Sequence, residues 1–216
     1  VPASAQTATI SGTVTDAGTM APLGGSEFRI AVYKSDGSPG GTANPDGSGH
    51  YSIGSLSAGT YFVRVNLATG YAMELHDNLP CIASDCPTTA GTPVVLADGG
   101  SATINFALAP EGRIAGTVSR TGSGALAGAS VSIYNASTSL VKSVTTDAAG
   151  AYVANGLAAG NYFVRVGNEL YNDKPCLLSC MIAAGTPVAV TAGATTSGIN
   201  IALPRGGSIS GMVVAE

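Results

Sequence analysis

The sequence predicts an all-β protein: two tandem β-sandwich modules and the first strand of a third. Three observations lead there. The chain nearly repeats itself: ISGTV at Ile10 to Val14 returns as IAGTV at Ile114 to Val118, GTYFVRV at Gly59 to Val65 as GNYFVRV at Gly160 to Val166, and INFAL at Ile104 to Leu108 as INIAL at Ile199 to Leu203. Short runs alternate apolar and polar residues with period two, as strands do. Clusters of Gly, Asp, Asn and Pro interrupt those runs at intervals of roughly eight to twelve residues, the spacing of a sandwich. No stretch carries a helical stripe.

Blocks that keep their order through a whole unit mark an array. The copies are 104 residues apart at Ile10 and Ile114, three fewer at Tyr61 and Tyr162, and six fewer again at Pro80 and Pro175, where NLATGYAMEL shrinks to GNEL. Length changes confined to two places mark loops, whose backbone can turn to water. The division expected is a lead-in over 1–9, one sandwich over 10–110, a second over 111–205, and a linker with a third first strand over 206–216.

Taken in order, the lead-in contains Ala3-Ser4-Ala5 before Gln6, which has the small-residue pattern of a signal-peptidase site and reads equally as a flexible Ala/Ser-rich segment. Strands follow at Ile10–Val14, Phe28–Tyr33 and Tyr61–Val65. The turn at Asn44-Pro45-Asp46-Gly47-Ser48-Gly49 leads into Tyr51, whose counterpart is Tyr152. Each tyrosine should begin a strand with its ring buried and its hydroxyl on a backbone group, in the manner of a tyrosine corner. Gly59 and Gly160 precede the aromatic strand, where a tight turn with positive φ is expected. Arg64 and Arg165 alternate with valines, so they should face outward, within reach of surface ion pairs to Glu74 and Glu169.

The cysteines travel with the repeat. Cys81 and Cys86 sit in one copy and Cys176 and Cys180 at the corresponding place in the other. Local disulfides and an oxidising compartment follow. A zinc site would need all four to converge from distant loops, and their spacings are not those of zinc knuckles. A ring this small is worth only roughly 2 kcal/mol by loop entropy, so each bridge should stiffen one loop.

At this point the residues resemble a family. Gly116, Val118, Leu126, Gly128, Ala129, Val131, Tyr134, Thr146, Asp147, Gly150, Tyr152, Gly156, Leu157, Gly160, Tyr162, Val164 and Val166 fall in the pattern of the carboxypeptidase regulatory-like domain, a transthyretin-like (prealbumin-like) β-sandwich. The first copy is similar through Gly12, Val14, Asp16, Pro22, Leu23, Asp46, Gly49, Tyr51, Leu56, Gly59 and Tyr61, with a longer and less regular segment from Gly24 to Asn44. The resemblance implies a seven-stranded, Ig-like fold used as a non-catalytic module in secreted and surface proteins. Related collagen-adhesin B-type repeats can contain a Lys-to-Asn isopeptide bond. Asn105 and Asn200 stand on the last strands, but the first strands hold no lysine, so that bond is not expected.

Composition excludes several functions. A net charge of −4 with nine scattered Lys and Arg gives no basic footprint for nucleic acid. No apolar run approaches the ~20 residues of a membrane span. The two histidines, His50 and His76, become Ala151 and Tyr171 in the second copy, and no activated nucleophile or carboxylate pair recurs, so no enzyme is expected. Asn44 to Ser48 reads as a plain turn; calcium would need six to eight oxygens. No cofactor is expected.

Two segments are candidates for contact. The loop after the aromatic strand gathers Tyr71, Glu74, His76 and Asp77 in one copy and Glu169, Tyr171 and Asp173 in the other, beside the cysteines. The tail repeats the first strand as ISGMV, with Ile209, Gly211 and Val213 as the residues of a donor strand or of a continuing array. The reading is an extracellular stalk, fibre subunit or adhesin spacer, partnered by neighbouring modules or head-to-tail copies of itself. The second reading is a ligand-binding module for carbohydrate or peptide that uses those loops.

Overall fold

A computed structural model describes residues 6–81, 86–177, 180–205 and 211–212. Ala3 to Ala5, Ile209 and Val213 lie outside the described residues; Gly211 is described, exposed and outside any strand. The chain forms two compact units, one centred on each repeat. The helical structure among the described residues is a single 3-10 turn, Ile182–Ala184. No helix among them is long and apolar enough to cross a membrane.

The first repeat runs through β1 (Ala8–Asp16), β2 (Phe28–Lys34), β3 (Pro39–Ala43), β4 (His50–Leu56), β5 (Gly59–Ala68), β6 (Glu74–Leu75), β7 (Leu79–Pro80), β8 (Val94–Leu96), β9 (Ser101–Thr103) and β10 (Phe106–Leu108). One sheet places β1 between β4 on one side and β9 and β10 on the other; the second has the order β3-β2-β5-β6-β7, with β8 also on β5. Alternation directs Ile10, Val14, Tyr51, Ile53, Phe106 and Leu108 from the first sheet against Ile30, Val32, Tyr61, Val63, Val65 and Val94 from the second, all buried.

The second repeat runs through β11 (Gly112–Arg120), β12 (Gly124–Ala125), β13 (Ser130–Asn135), β14 (Leu140–Thr145), β15 (Ala151–Leu157), β16 (Gly160–Val166), β17 (Glu169–Leu170), β18 (Lys174–Pro175), β19 (Val188–Val190), β20 (Thr195–Thr196) and β21 (Ile201–Leu203). Its sheets repeat the scheme: β11 lies between β15 and the pair β20 and β21, while β14-β13-β16-β17-β18 forms the other sheet, with β19 on β16. In both repeats the place of the first strand is filled by that repeat's own β1 or β11.

The first and last strands of each repeat run parallel. Thr9 to Ser11 pair with Ser101 to Thr103, and Val14 to Asp16 with Phe106 to Leu108. Where the ladder breaks, Asn105 Oδ1 accepts from the Thr13 amide at 2.9 Å and from Thr13 Oγ1 at 3.0 Å. Asn200 accepts from Thr117 at the same two distances. These asparagines thus tie the first strand to the end of the repeat by hydrogen bonds. The tyrosine expectation holds: Tyr51 donates to Ile104 O at 2.6 Å and Tyr152 to Ile199 O at 2.7 Å, both rings buried. Gly12 and Gly116 press against those same carbonyls, where an added Cβ would overlap the oxygen.

Gly59 and Gly160 have the positive φ expected of them, at 158° and 156°. Just before the tyrosine strands, Gly49 and Gly150 are left-handed, at 79° and 72°. Asp46 Oδ1 closes that turn by accepting from Ser48 N at 2.9 Å, Ser48 Oγ at 2.7 Å and His50 N at 3.0 Å. Asp147 Oδ1 does the same for Ala149 and Ala151 at 2.8 and 2.9 Å. These are turn-forming acids, and His50 is exposed at the start of β4.

Candidate functional site

In the first repeat, the segment after β5 is built around two turns. Gly70, at φ 80°, directs Tyr71 inward. Its ring lies 5.7 Å from that of Phe28, and its hydroxyl donates to Asp16 Oδ2 at 3.0 Å. Asp16 is itself buried at the end of β1, where Oδ1 accepts from the amides of Gly18 and Thr19 at 2.9 and 2.7 Å. Hydrogen bonds from Thr19 hold its carboxyl below the usual range despite burial. Ala72 N donates to Ala109 O and Glu111 N to Gly70 O, both at 2.9 Å, so this loop is strapped to the segment that follows β10. Tyr71 is therefore a structural tie.

The next turn joins β6 to β7. Leu75 stands opposite Leu79, and within the three-residue connection Asp77 and Asn78 take left-handed φ of 69° and 56°. His76 Nδ1 lies 3.1 Å from Thr92 O, and its Nε2 is 3.6 Å from Asp77 Oδ1. The contact with Thr92 O makes Nδ1 the protonated nitrogen.

The ion pairs expected of Arg64 and Arg165 are not formed, because a one-residue offset separates the faces. Arg64 stands opposite Leu75 and Arg165 opposite Leu170, so the glutamates one position earlier project to the other side of the sheet. Arg64 does face away from the sandwich core, but it is not a solvated side chain. Its guanidinium lies 4.7 Å from the Tyr33 ring centroid and donates to Cys86 O at 2.8 Å, Tyr33 Oη at 3.1 Å and Asn66 Oδ1 at 2.9 Å. Arg165 donates instead to Gly167 O at 2.7 Å.

The glutamates take the inner side. Glu74, on β6, has a buried Oε2 without a partner, and burial pushes its carboxyl up to about 7. Glu169, on β17, is only 7% exposed. Burial and then the neighbouring Asp173 carboxylate raise its pKa. Asp173 is exposed in the β17–β18 turn, where Asn172 and Asp173 repeat the left-handed pair at 70° and 55°. Tyr171 takes the place of His76, its amide bonded to Val164 O at 2.8 Å. Tyr71 has no counterpart in the shorter second loop, so the two tyrosines do not form equivalent surfaces.

Both disulfides form within their repeats, Cys81 to Cys86 and Cys176 to Cys180, with Cα separations of 5.4 and 4.6 Å. Cys81 and Cys176 are buried. The second bridge sits beside exposed Leu177 and Met181, which with Leu170, Pro175 and Ala184 line an open apolar groove. Lys174 Nζ crosses it to Ala184 O at 2.9 Å.

Residues 113–204 match the model of the carboxypeptidase regulatory-like domain family, over nearly the whole second repeat. A comparison with curated proteins finds no match. Among solved structures the chain is similar to the Bacillus anthracis TIE protein, at 15% identity and a TM-score of 0.39, over 93% of this chain and 34% of that one. It is also similar to a streptococcal ancillary pilin, at 17% identity and a TM-score of 0.41, over 91% of this chain and 62% of that one. GBS52, the minor pilin of Streptococcus agalactiae, is similar at 13% identity and a TM-score of 0.43, over 97% of this chain and all of that one. The chain therefore spans about a third of the first of these proteins and 62% of the second.

Proposed function

We propose that the chain is a tension-carrying structural segment of an extracellular stalk, fibre or adhesin, with modules at 10–110 and 111–205 that carry load in series along the polypeptide. The observation that carries this reading is the parallel pairing of first and last strands in both repeats. When two parallel strands are the terminal ones, the chain enters at one end of the pair and leaves at the other. Pulling on the ends then slides the strands past each other, and every bond between them resists together. Bonds at an antiparallel terminal pair would open one at a time. Each module adds a side-chain tie to the ladder, Thr13 to Asn105 and Thr117 to Asn200.

The disulfides favour an oxidising setting such as the cell surface or extracellular space. The partners of such a segment are neighbouring modules and further copies of the chain. The ISGMV sequence that holds Ile209, Gly211 and Val213 suits the first strand of a further module, in the chain itself or in a partner lacking its own.

Single-molecule stretching of the full chain between terminal handles tests the reading, because forced unfolding reports the barrier directly. Two discrete unfolding events are expected, with Asn105→Ala lowering the force of one and Asn200→Ala that of the other. Gradual extension without discrete events, or forces that neither substitution changes, would refute it.

A further inference from the structure

We propose that the second repeat carries a binding cavity for a primary ammonium group on an aliphatic stem, with the Glu169 carboxylate as the recognising group. The cavity has a volume of about 340 Å³ and is bounded by Asn168, Glu169, Pro175, Leu203, Pro204 and Arg205, with Leu177 at its wall. That volume falls at the small end of ligand sites. Glu169 is more than nine-tenths buried, and among the described residues its carboxylate has no hydrogen-bond or ion-pair partner. A carboxylate largely withdrawn from bulk water and left unpaired is stabilised most by a cation that brings its own donors.

Arg205, in the cavity wall, and Lys174, on the neighbouring strand, make hydrogen bonds elsewhere. Arg205 donates to Thr121 O at 3.1 Å, Gly122 O at 2.7 Å and Ser123 Oγ at 2.7 Å. Lys174 donates to Ala184 O. The charge that bears on Glu169 is the Asp173 carboxylate, which adds to the demand for a cation. The walls supply leucine and proline carbons suited to methylene groups, and Asn168 offers an amide beside the carboxylate.

The corresponding place in the first repeat is built differently. There the longer loop carries Tyr71 and Ala72 past Glu74, and Ala72 is bonded to Ala109, the counterpart of Pro204. Glu74 is partly buried there, with its Oε2 out of contact with solvent. Six residues of that loop are missing from the second repeat.

The shared ligand chemistry could come from a lysine side chain of a partner polypeptide or from a free alkylamine. The test is methyl NMR of the full chain, titrated into the millimolar range with n-butylamine, with Nα-acetyl-lysine methylamide and with n-butanol. Saturating shifts of the Leu177 and Leu203 methyls are expected with both amines and not with butanol. Glu169→Gln should weaken amine binding by about tenfold or more, whereas Glu74→Gln should leave it unchanged. Tighter binding of the blocked lysine identifies a polypeptide source, and tighter binding of butylamine a free amine. In the unmutated chain, butylamine should lower the titration midpoint of the Glu169 carboxyl. Equal shifts with butanol, no shift with either amine, or a midpoint that butylamine does not move would overturn the proposal.

Discussion

Replacing Tyr51 or Tyr152 by phenylalanine removes one oxygen and leaves the ring in place, so the loss isolates a single buried hydrogen bond. The donors lie 2.6 and 2.7 Å from Ile104 O and Ile199 O, and both bonds are buried. Each substitution strands a carbonyl at the point where the last strand leaves the ladder, so about 1–2 kcal/mol should be lost per module. For a domain near one hundred residues, each kcal/mol moves Tm by about 4–8 °C, which predicts a drop of roughly 5–15 °C. Differential scanning calorimetry of the chain should show Tyr51→Phe lowering one module's transition and Tyr152→Phe the other's. Burial also raises both phenols above their ordinary pKa. With the folded pKa above the unfolded value near 10, this contribution is intact below that value and is lost as pH rises above it. The phenylalanine variants should therefore lose less stability in alkali. Transitions that stay in place in both variants would show that Ile104 O and Ile199 O are not held by these hydroxyls.

Two further outcomes follow from the same geometry. Glu74, raised to about 7, contributes stability below the ordinary carboxylate range that is lost as pH rises through about 7. Glu74→Gln should thus flatten the dependence of the urea midpoint on pH and raise the midpoint at about pH 8; an unchanged slope counts against a desolvated carboxylate. Gly116→Ala should cost about 3 kcal/mol or more in chemical denaturation, because its Cβ would overlap Ile199 O, whereas Gly47→Ala, with open space around it, should be close to neutral.

What could be read from the sequence was local and periodic. The strands, the tyrosine positions, the Asp46 and Asp147 turns and the cysteine pairs each declare themselves within a few residues, and repetition in both copies strengthens every one. Arg64 with Glu74 failed for a specific reason. Proximity along the chain said nothing about register, and a shift of one residue sends the carboxylate to the opposite face. The tie from Tyr71 to Asp16 spans 55 residues and occurs in one copy only, so nothing in the repeat announced it. The bonds of Thr13 with Asn105 and Thr117 with Asn200 left a trace, since both copies keep the pair in the same place. The left-handed pairs Asp77-Asn78 and Asn172-Asp173 left another, because Asn and Asp tolerate that conformation best.

The partnership of Thr13 with Asn105, 92 positions away, also governs how the chain comes to be folded. During synthesis the opening strand of each module must wait for the closing one, because long-range pairing cannot begin until the intervening loop exists. The second copy's IAGTV emerges directly behind the first copy's INFAL, so two nearly interchangeable opening strands compete for one closing strand. Capture of the later one would yield an exchanged topology, and in a concentrated array the same interchange could link separate molecules. The order in which strands leave the ribosome thus protects the native pairing, since the earlier copy is already waiting when its closing strand arrives.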